Sequence, residues 1–409
     1  TSRAAEEINR AANAASAVPA PTTLNGRDTG LDAQAAITGF TGKTTIALTD
    51  SSGVIQRRID IDFDAGTMSI NGAAGPAFTP ANFMAQLNTA MGGMGGAGFS
   101  GGALNLSGTG GLGVAVADDP TTPADKAGKG FSHYFGLNDI IRTNGYSPYE
   151  TGLTAADPHG FTSGTMTIRL TDVEGGRIRD VIVDAPVGGT VQDMLDALNS
   201  RASGVGLYGQ FTLNAKGQMT FTSNTTTPVT MSIVGDTTER GVGGPSVSQL
   251  FGVGPAERST RGEKFFVCTA MDQNPTLLPF AQLDLTQAVG GAAALAIGDG
   301  RGALALAKSG DTVTNFSAAG DATPSTMSVS RYAADFSGAI ARKANTAESR
   351  RDSAEAVASE VDSQRQSQEG VNLDEELINL TTYQQAFNAS ARLIQATKDM
   401  YDVLTGLVS

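Results

Sequence analysis

The stretch "GFTGKTT", Gly39 to Thr45, closes as a phosphate-binding loop closes, in Gly-Lys-Thr. Such a loop cradles phosphates with glycine N–H groups and then opens a helix whose N-terminus holds the anion. Here the glycine required five positions before Gly42 is Ile37, and the segment runs into the strand-like "TTIALTD". The spacing therefore argues against nucleotide binding. "MGGMGGAGFSGG", Met91 to Gly102, is followed by neither lysine nor helix and reads as a flexible hairpin connection. His133 lies in an aromatic segment, His159 in the turn "DPHG" and Cys268 in the alternating strand "KFFVCTA", where a small thiol packs. Two histidines and one cysteine cannot assemble a zinc cluster. No Ser-His-Asp or Cys-His arrangement can be specified, and no carboxylate pair stands out as acid and base. The expectation is no catalytic residue, no metal, no cofactor and no enzyme.

Composition narrows the class further. A charge of -13 disfavours nonspecific attraction to nucleic acid or anionic lipid, and no basic patch with interleaved aromatics appears. One cysteine precludes an intrachain disulfide, so a secreted location requires a route that bypasses oxidative folding. No signal peptide opens the chain and no run qualifies as a membrane span. With 51 glycines and no tryptophan, the chain should hold many turns and modest cores. "TSRAAEEINRAANAAS" reads as the tail of a helix entered from upstream, so the protein is expected to begin earlier than Thr1.

The elements that position these residues show a duplication. "TTIALTDSSGVIQRRIDIDF" (Thr44 to Phe63) and "TMTIRLTDVEGGRIRDVIVD" (Thr165 to Asp184) each alternate, turn through glycine and alternate again, as a hairpin does. Each is followed by an amphipathic stretch, "TPANFMAQLNTAM" or "TVQDMLDALNSRA", and then by a further strand pair, "GALNLSG…GVAVAD" or "QMTFTSN…VTMSIVG". Each closes on an aromatic-Gly segment, "FSHYFGLND" or "SVSQLFGVG". The spacing suits a duplicated small domain.

After Gly338 the glycines nearly vanish. Phe336, Ile340, Ala347, Ala354, Val357 and Val361 form a narrow helical stripe, Gly370 breaks it, and "NLDEE" opens a second helix with acids in its first turn. On that last helix Leu380, Tyr383, Phe387, Ser390, Ile394, Thr397, Tyr401, Leu404 and Val408 alternate at spacings of three and four, the pattern of a coiled-coil seam. Ala386, Leu393, Met400 and Leu407 add a flanking row. Amides and hydroxyls rather than charges surround the stripe, which suits a face that meets other chains. A hairpin with the preceding helix would cover only part of it.

"GVNLDEELINLTTYQQAFNASARLIQATKDMYDVL", Gly370 to Leu404, closely resembles the C-terminal signature of the flagellar hook-associated protein of the hook–filament junction, the FlgK family. "LAIGDGRGALALAKS", Leu295 to Ser309, resembles a second motif of that family, and "INRAANAASAVPAP" is weakly similar to it. The combination of Val371 to Glu376 with Tyr383 to Ala386 favours the junction family over hook or rod proteins. The resemblance covers the region after about Glu263 and implies an axial protein exported unfolded by the flagellar type III apparatus. It also implies terminal helices coiled near the channel and β domains facing outwards. The N-terminal helical half that would pair with 380–408 is absent from this sequence, and the tandem β units match no motif of the family.

The expected fold is α+β and multidomain, with long terminal helices in a bundle or coiled coil and two tandem β-rich inserted domains. The expected bounds are a helix end and linker at 1–38, β-rich units at 39–150 and 151–263, a connecting segment at 264–330 and a helical region at 331–409. The expected function is a structural adaptor joining hook to filament, extracellular on the bacterial flagellum. Its expected partners are copies of itself, the hook protein, the second junction protein or filament, and an export chaperone, with no nucleic acid or membrane. The assembly seam is placed at Leu380, Tyr383, Phe387, Ile394, Tyr401, Leu404 and Val408. The alternative is a secreted adhesin-like module whose paired β units hold a ligand. A hydrolase hidden in the β units is weaker, since no site for it is found.

Overall fold

The computed structural model describes residues 2–143, 146, 149–224, 228–254, 256–257, 264–316, 323–370 and 372–407. The chain divides into two units, 1–332 and 333–409.

The first unit opens with α1 (Ser2–Asn13), β1 (Thr23–Asn25) and α2 (Ala33–Ile37). Next come β2 (Lys43–Thr49) and β3 (Ile55–Asp62), paired from Lys43 opposite Asp62 to Thr49 opposite Ile55. The turn between them is fixed by Asp50, whose Oδ1 accepts from the N–H groups of Ser52 (2.9 Å) and Val54 (3.1 Å). Gly53 takes φ 80° there, and a Cβ on it would meet the Leu295 carbonyl oxygen at 2.0 Å. Strands β4 (Thr67–Ile70) and β5 (Ala73–Ala77) extend the sheet, and α3 (Phe83–Met91) follows. Strands β6 (Gly95–Ser100) and β7 (Ala103–Gly108) form a second hairpin that β1 joins. Strand β8 (Gly113–Asp118) crosses back to β2, giving the sheet order β5-β4-β3-β2-β8.

The second set repeats this plan. After α4 (Phe131–Phe135), β9 (Ile141–Thr143) and β10 (Phe161–Ser163), strands β11 (Thr165–Thr171) and β12 (Arg177–Asp184) form the hairpin. Its turn is held by Asp172, whose Oδ1 accepts from the N–H groups of Glu174 (3.0 Å) and Gly176 (2.7 Å), the same offsets that Asp50 uses. Both hairpins carry a register shift just before this turn, at Leu48/Thr49 and Leu170/Thr171. Helix α5 (Val191–Leu198) starts from a Thr190–Asp193 capping box. Strands β13 (Gly209–Leu213) and β14 (Met219–Ser223) pair, and β15 (Thr230–Asp236) crosses to β11 as β8 does to β2. Strand β16 (Glu239–Arg240) pairs with β10, and α6 (Val247–Phe251) closes the set.

The closing motifs are equivalent as well. Gly136 and Gly252 end α4 and α6 in the left-handed conformation, with their N–H groups bound to the Ser132 and Ser248 carbonyls. Leu137 and Val253 N–H groups reach the same two carbonyls. That geometry is what the aromatic-Gly ending encodes.

Two expectations are corrected. The strands expected to follow each amphipathic helix as a pair do not pair with each other, because each first partner already has a hairpin mate and each second partner completes the central sheet. Residues 91–102 are not a flexible connection: Gly95–Ser100 is strand β6, where bare Cα atoms let Gly95 approach within reach of the Ser107 carbonyl. The core is also larger than composition suggested. One cluster of buried side chains runs through both sets from Leu24 to Val253. At its centre Phe40, Phe63, Phe83, Phe131 and Phe135 meet with ring centroids 5.0–6.3 Å apart.

Beyond this core, β17 (Phe265–Val267) pairs with β9, and α7 (Thr269–Gln273) follows. Ala281, Leu283, Ala294 and Leu295 cover the β2–β3 sheet through a small second cluster with Ala47 and Ile55. Helix α8 (Arg301–Lys308) approaches the chain just after α1 so closely that a Cβ on Gly302 would lie 2.7 Å from that of Ala15. Asp299 anchors its start, binding Arg301 at 2.7 Å and the Gln282 N–H at 3.0 Å. The hairpin β18 (Val313–Phe316) and β19 (Ser325–Ser328) then leads into α9 (Val329–Glu369), and α10 (Leu373–Gly406) follows. No helix among the described residues is long and apolar enough to cross a membrane.

Candidate assembly helix and the buried polar network

Helix α10 starts where the sequence places its acids. The Asn372 side chain accepts from the Asp374 N–H at 3.2 Å, and Asp374, Glu375 and Glu376 occupy the first turn, where their charge favours the helix dipole. Among the described residues no α10 side chain is buried. Of the expected seam, Leu380, Tyr383, Phe387, Ile394, Tyr401 and Leu404 all face solvent, from 54% exposed at Leu380 to 75% at Phe387. Val408 lies outside the described residues. The flanking Leu393, Met400 and Leu407 are exposed too. The preceding helix does not cover this face, so the hairpin explanation is not what the chain adopts by itself.

The serine and threonine hydroxyls on this helix are satisfied internally. Ser390, Thr397 and Thr405 each donate to the carbonyl four residues back at 2.8 Å, and Thr381 and Thr382 bind the Leu377 and Ile378 carbonyls. Ser390 and Thr397 are seam positions, so covering the face with another chain would leave their O–H groups paired. Six large side chains on this face, at about 1.5–3 kcal/mol each on full burial, give the surface on the order of 10 kcal/mol to gain from a partner.

The residues considered for chemistry lie apart. Lys43 starts β2 rather than a helix and pairs with Asp62 at 3.1 Å, which leaves no anion cradle. His159 is buried: its Nε2 donates to the Gly188 carbonyl at 2.7 Å while Nδ1 accepts from the Phe161 N–H, and burial pushes its pKa down. Cys268 is buried but does not sit in the strand, which ends at Val267; its N–H bonds to the Ile140 carbonyl and it leads into α7. Among the described residues no three His, Cys, Asp or Glu side chains are placed to hold a metal ion.

His133 belongs to a buried network that sequence reasoning did not assemble. Its Nε2 lies 3.2 Å from Glu6 Oε1, and Lys129 Nζ sits 3.4 Å from that oxygen and 2.6 Å from Glu150 Oε2. Burial raises the Glu6 carboxyl, but Lys129 and His133 outweigh it and hold it well below the usual range. Burial pushes the His133 pKa down, so the imidazole is neutral at pH 7. Beside them Asn13 donates to Asp139 Oδ1 at 2.7 Å and accepts from Ser132 Oγ and the Asn138 N–H at 2.9 Å each. Asn9 exchanges two bonds with Ile141. These contacts fasten α1 to the first β set. The sequence signal was weak: Glu6, Asn9 and Asn13 share one face of α1, but a polar face is ordinarily a wet one.

Helix α10 thus presents an exposed apolar face, while the buried polar groups of the first unit are spent on its own structure. Residues 363–407, the end of α9 and α10, match the family model for the flagellar basal body rod FlgEFG protein C-terminal domain. No curated protein matches the chain. The match supports a flagellar rod- or hook-type structural protein that assembles into the axial structure and is not catalytic. It lends no support to the adhesin alternative.

Proposed function

We propose that this chain is an adaptor of the hook–filament junction, of the FlgK type, which assembles with copies of itself through α10. The observation that carries this is the exposed seam on α10, which coincides with the matched region and with the junction-type signature from Gly370 to Leu404. In this reading Leu380, Tyr383, Phe387, Ile394, Tyr401, Leu404 and Val408 pack in a coiled-coil seam against neighbouring terminal helices. The hook protein and the second junction protein or filament are its axial neighbours. The chain leaves the cell through the flagellar export apparatus with a dedicated chaperone and acts outside it. The segments 39–150 and 151–263 are tandem β-rich domains facing outwards.

The test is Phe387→Asp and Ile394→Asp in the full-length protein. An unpaired carboxylate in a desolvated seam costs several kcal/mol. Because both side chains are exposed in the single chain, the melt of the β-rich unit should not move. The variants should be exported yet leave cells with hooks and few filaments by electron microscopy, while Glu355→Ala assembles normally. Normal filaments on the variant cells would overturn the proposal.

A further inference from the structure

Where α1 meets β9, three polar atoms are shut away from solvent with no hydrogen-bond partner among the described residues: Glu6 Oε1, Arg27 Nε and Arg142 Nε. They belong to three separate stretches of chain, the helix α1, the loop after β1 and the strand β9. His133 Nε2 and Lys129 Nζ lie 3.2 and 3.4 Å from Glu6 Oε1, but neither is aligned to bond it. Arg27 spends its other nitrogens on Asp139 Oδ2 (3.2 Å) and on the His133 and Tyr134 carbonyls (2.8 and 3.1 Å). Arg142 Nη2 is likewise held, by the Asn25 and Gly136 carbonyls. Leaving a buried charged donor or acceptor unpaired is strongly unfavourable, so these three atoms call for a partner. Glu6, Arg27 and Arg142 all line one small cavity, together with Asp139, Ala5 and Phe265. Its volume is ≈ 20 Å³, and a water molecule needs roughly 10–15 Å³ of such space, so it admits one water and not two.

We propose that this cavity is a binding site for a single water molecule, which accepts from Arg27 Nε and Arg142 Nε and donates to Glu6 Oε1 and to Asp139. The charges select the ligand. A halide would accept from both Nε–H groups but face two carboxylates. A metal cation would suit the carboxylates but face two guanidinium groups. A molecule that accepts twice and donates twice pairs all four, and water is the one small enough to enter. Asp139 can take its share: Oδ2 accepts from Arg27 Nη1, and an ionised carboxylate oxygen has a second lone pair to offer. The water is therefore a joint that ties α1 to β9, the strand with which β17 pairs as the chain returns. No partner chain is involved, so the site is independent of the role given to α10.

The test is nuclear magnetic resonance of the full chain, read at the Nε–H groups of Arg27 and Arg142. Both should cross-relax with water with the sign that marks a long-lived bound molecule, and both should exchange slowly with solvent. In Arg142→Met, which removes one of the two donors, the Arg27 Nε–H should exchange roughly tenfold faster. Lack of the bound-water signal at either Nε–H in the parent would overturn the shared site, whether or not the variant folds. Unchanged Arg27 exchange in a folded Arg142→Met protein would overturn it as well. Anomalous scattering from bromide in the cavity, in crystals grown with that ion, would reveal an anion site and overturn the choice of water.

Discussion

Lys126 should make this protein more stable as the solution becomes more alkaline, and Lys126→Met should remove that dependence. Lys126 is 2% exposed. Its Nζ donates to the Ala35 and Ala36 carbonyls at 2.7 and 3.0 Å, at the end of α2, and lies 5.0 Å from the centre of the Tyr134 ring. No carboxylate pairs with it among the described residues; Asp157 and Asp32 act only at a distance. Burial therefore dominates and pushes its pKa down from 10.5 to about 7. A neutral amine still has two N–H groups for two carbonyls, so the proton is lost without losing the bonds. Between these two pKa values the unfolded chain binds the proton and the folded chain does not, so stability rises with pH and is fully gained only above 10.5. Integrating the linkage from pH 7 to 9 gives a gain of about 2 kcal/mol. His133 and His159, held low by burial, are already neutral in this window, and burial raises the Tyr134 hydroxyl away from it. Urea titrations followed by far-ultraviolet circular dichroism at several pH values would measure the slope. Lys126→Met orphans two carbonyls and is less stable by roughly 1–3 kcal/mol per group. That offset does not vary with pH, so slope and offset separate. An equal slope in Lys126→Met, or no rise in the parent, would refute the assignment.

Two further changes probe the frame that holds the helices and sheets. Asn13→Ala should destabilise by roughly 1–3 kcal/mol, since it takes a donor from Asp139 Oδ1, whose other oxygen keeps Arg27, and an acceptor from the buried Asn138 N–H, and exchange of 2–13 should accelerate more than that of 165–171; equal acceleration would mean α1 is not separately fastened. Gly252→Ala should cost far more than Gly72→Ala: both have positive φ, but a Cβ on Gly252 would meet the Tyr149 ring at 2.3 Å while one on Gly72 meets nothing within 4 Å. Gly72→Ala should lose only about 1 kcal/mol of backbone preference, and similar melts for the two variants would show that Tyr149 yields freely.

Local signals in the sequence led to the right elements wherever the structure uses local interactions. Thr49-Asp50 and Thr171-Asp172 sit at equivalent turns because an aspartate there binds N–H groups two and four residues on. Phe135-Gly136 and Phe251-Gly252 mark equivalent helix ends because only glycine takes the left-handed cap cheaply. The start of α10 at Asn372 follows from N-capping chemistry, its side chain accepting from the Asp374 N–H. Pairing was less legible. Nothing within "GALNLSG" says whether it bonds to the strand before it or after it, and β6 was hidden by glycines whose strand role depends on contact with Ser107. The buried network was missed for a different reason. Glu6, Asn13 and Lys129 are polar residues whose partners lie more than a hundred positions away, and no periodicity links one end of such a pair to the other.

The residues that made α10 look unlike a surface helix also let one sequence live in two environments. A face of leucines alone would be costly to leave in water, and a face of lysines and glutamates would be costly to bury, since each ion must be desolvated. Serine and threonine at seam positions avoid both costs. Their hydroxyls turn back onto the helix carbonyls, as Ser390 and Thr397 do at 2.8 Å, so the surface they present outward is largely methyl and methylene. In water those groups lose little, and against a neighbouring helix they leave no donor unpaired. The acids at the start of α10, Asp374 to Glu376, support the helix through its dipole instead. Such a helix can be stable enough to form in a single chain, with every described side chain still open to solvent, and still gain from burial when other chains arrive.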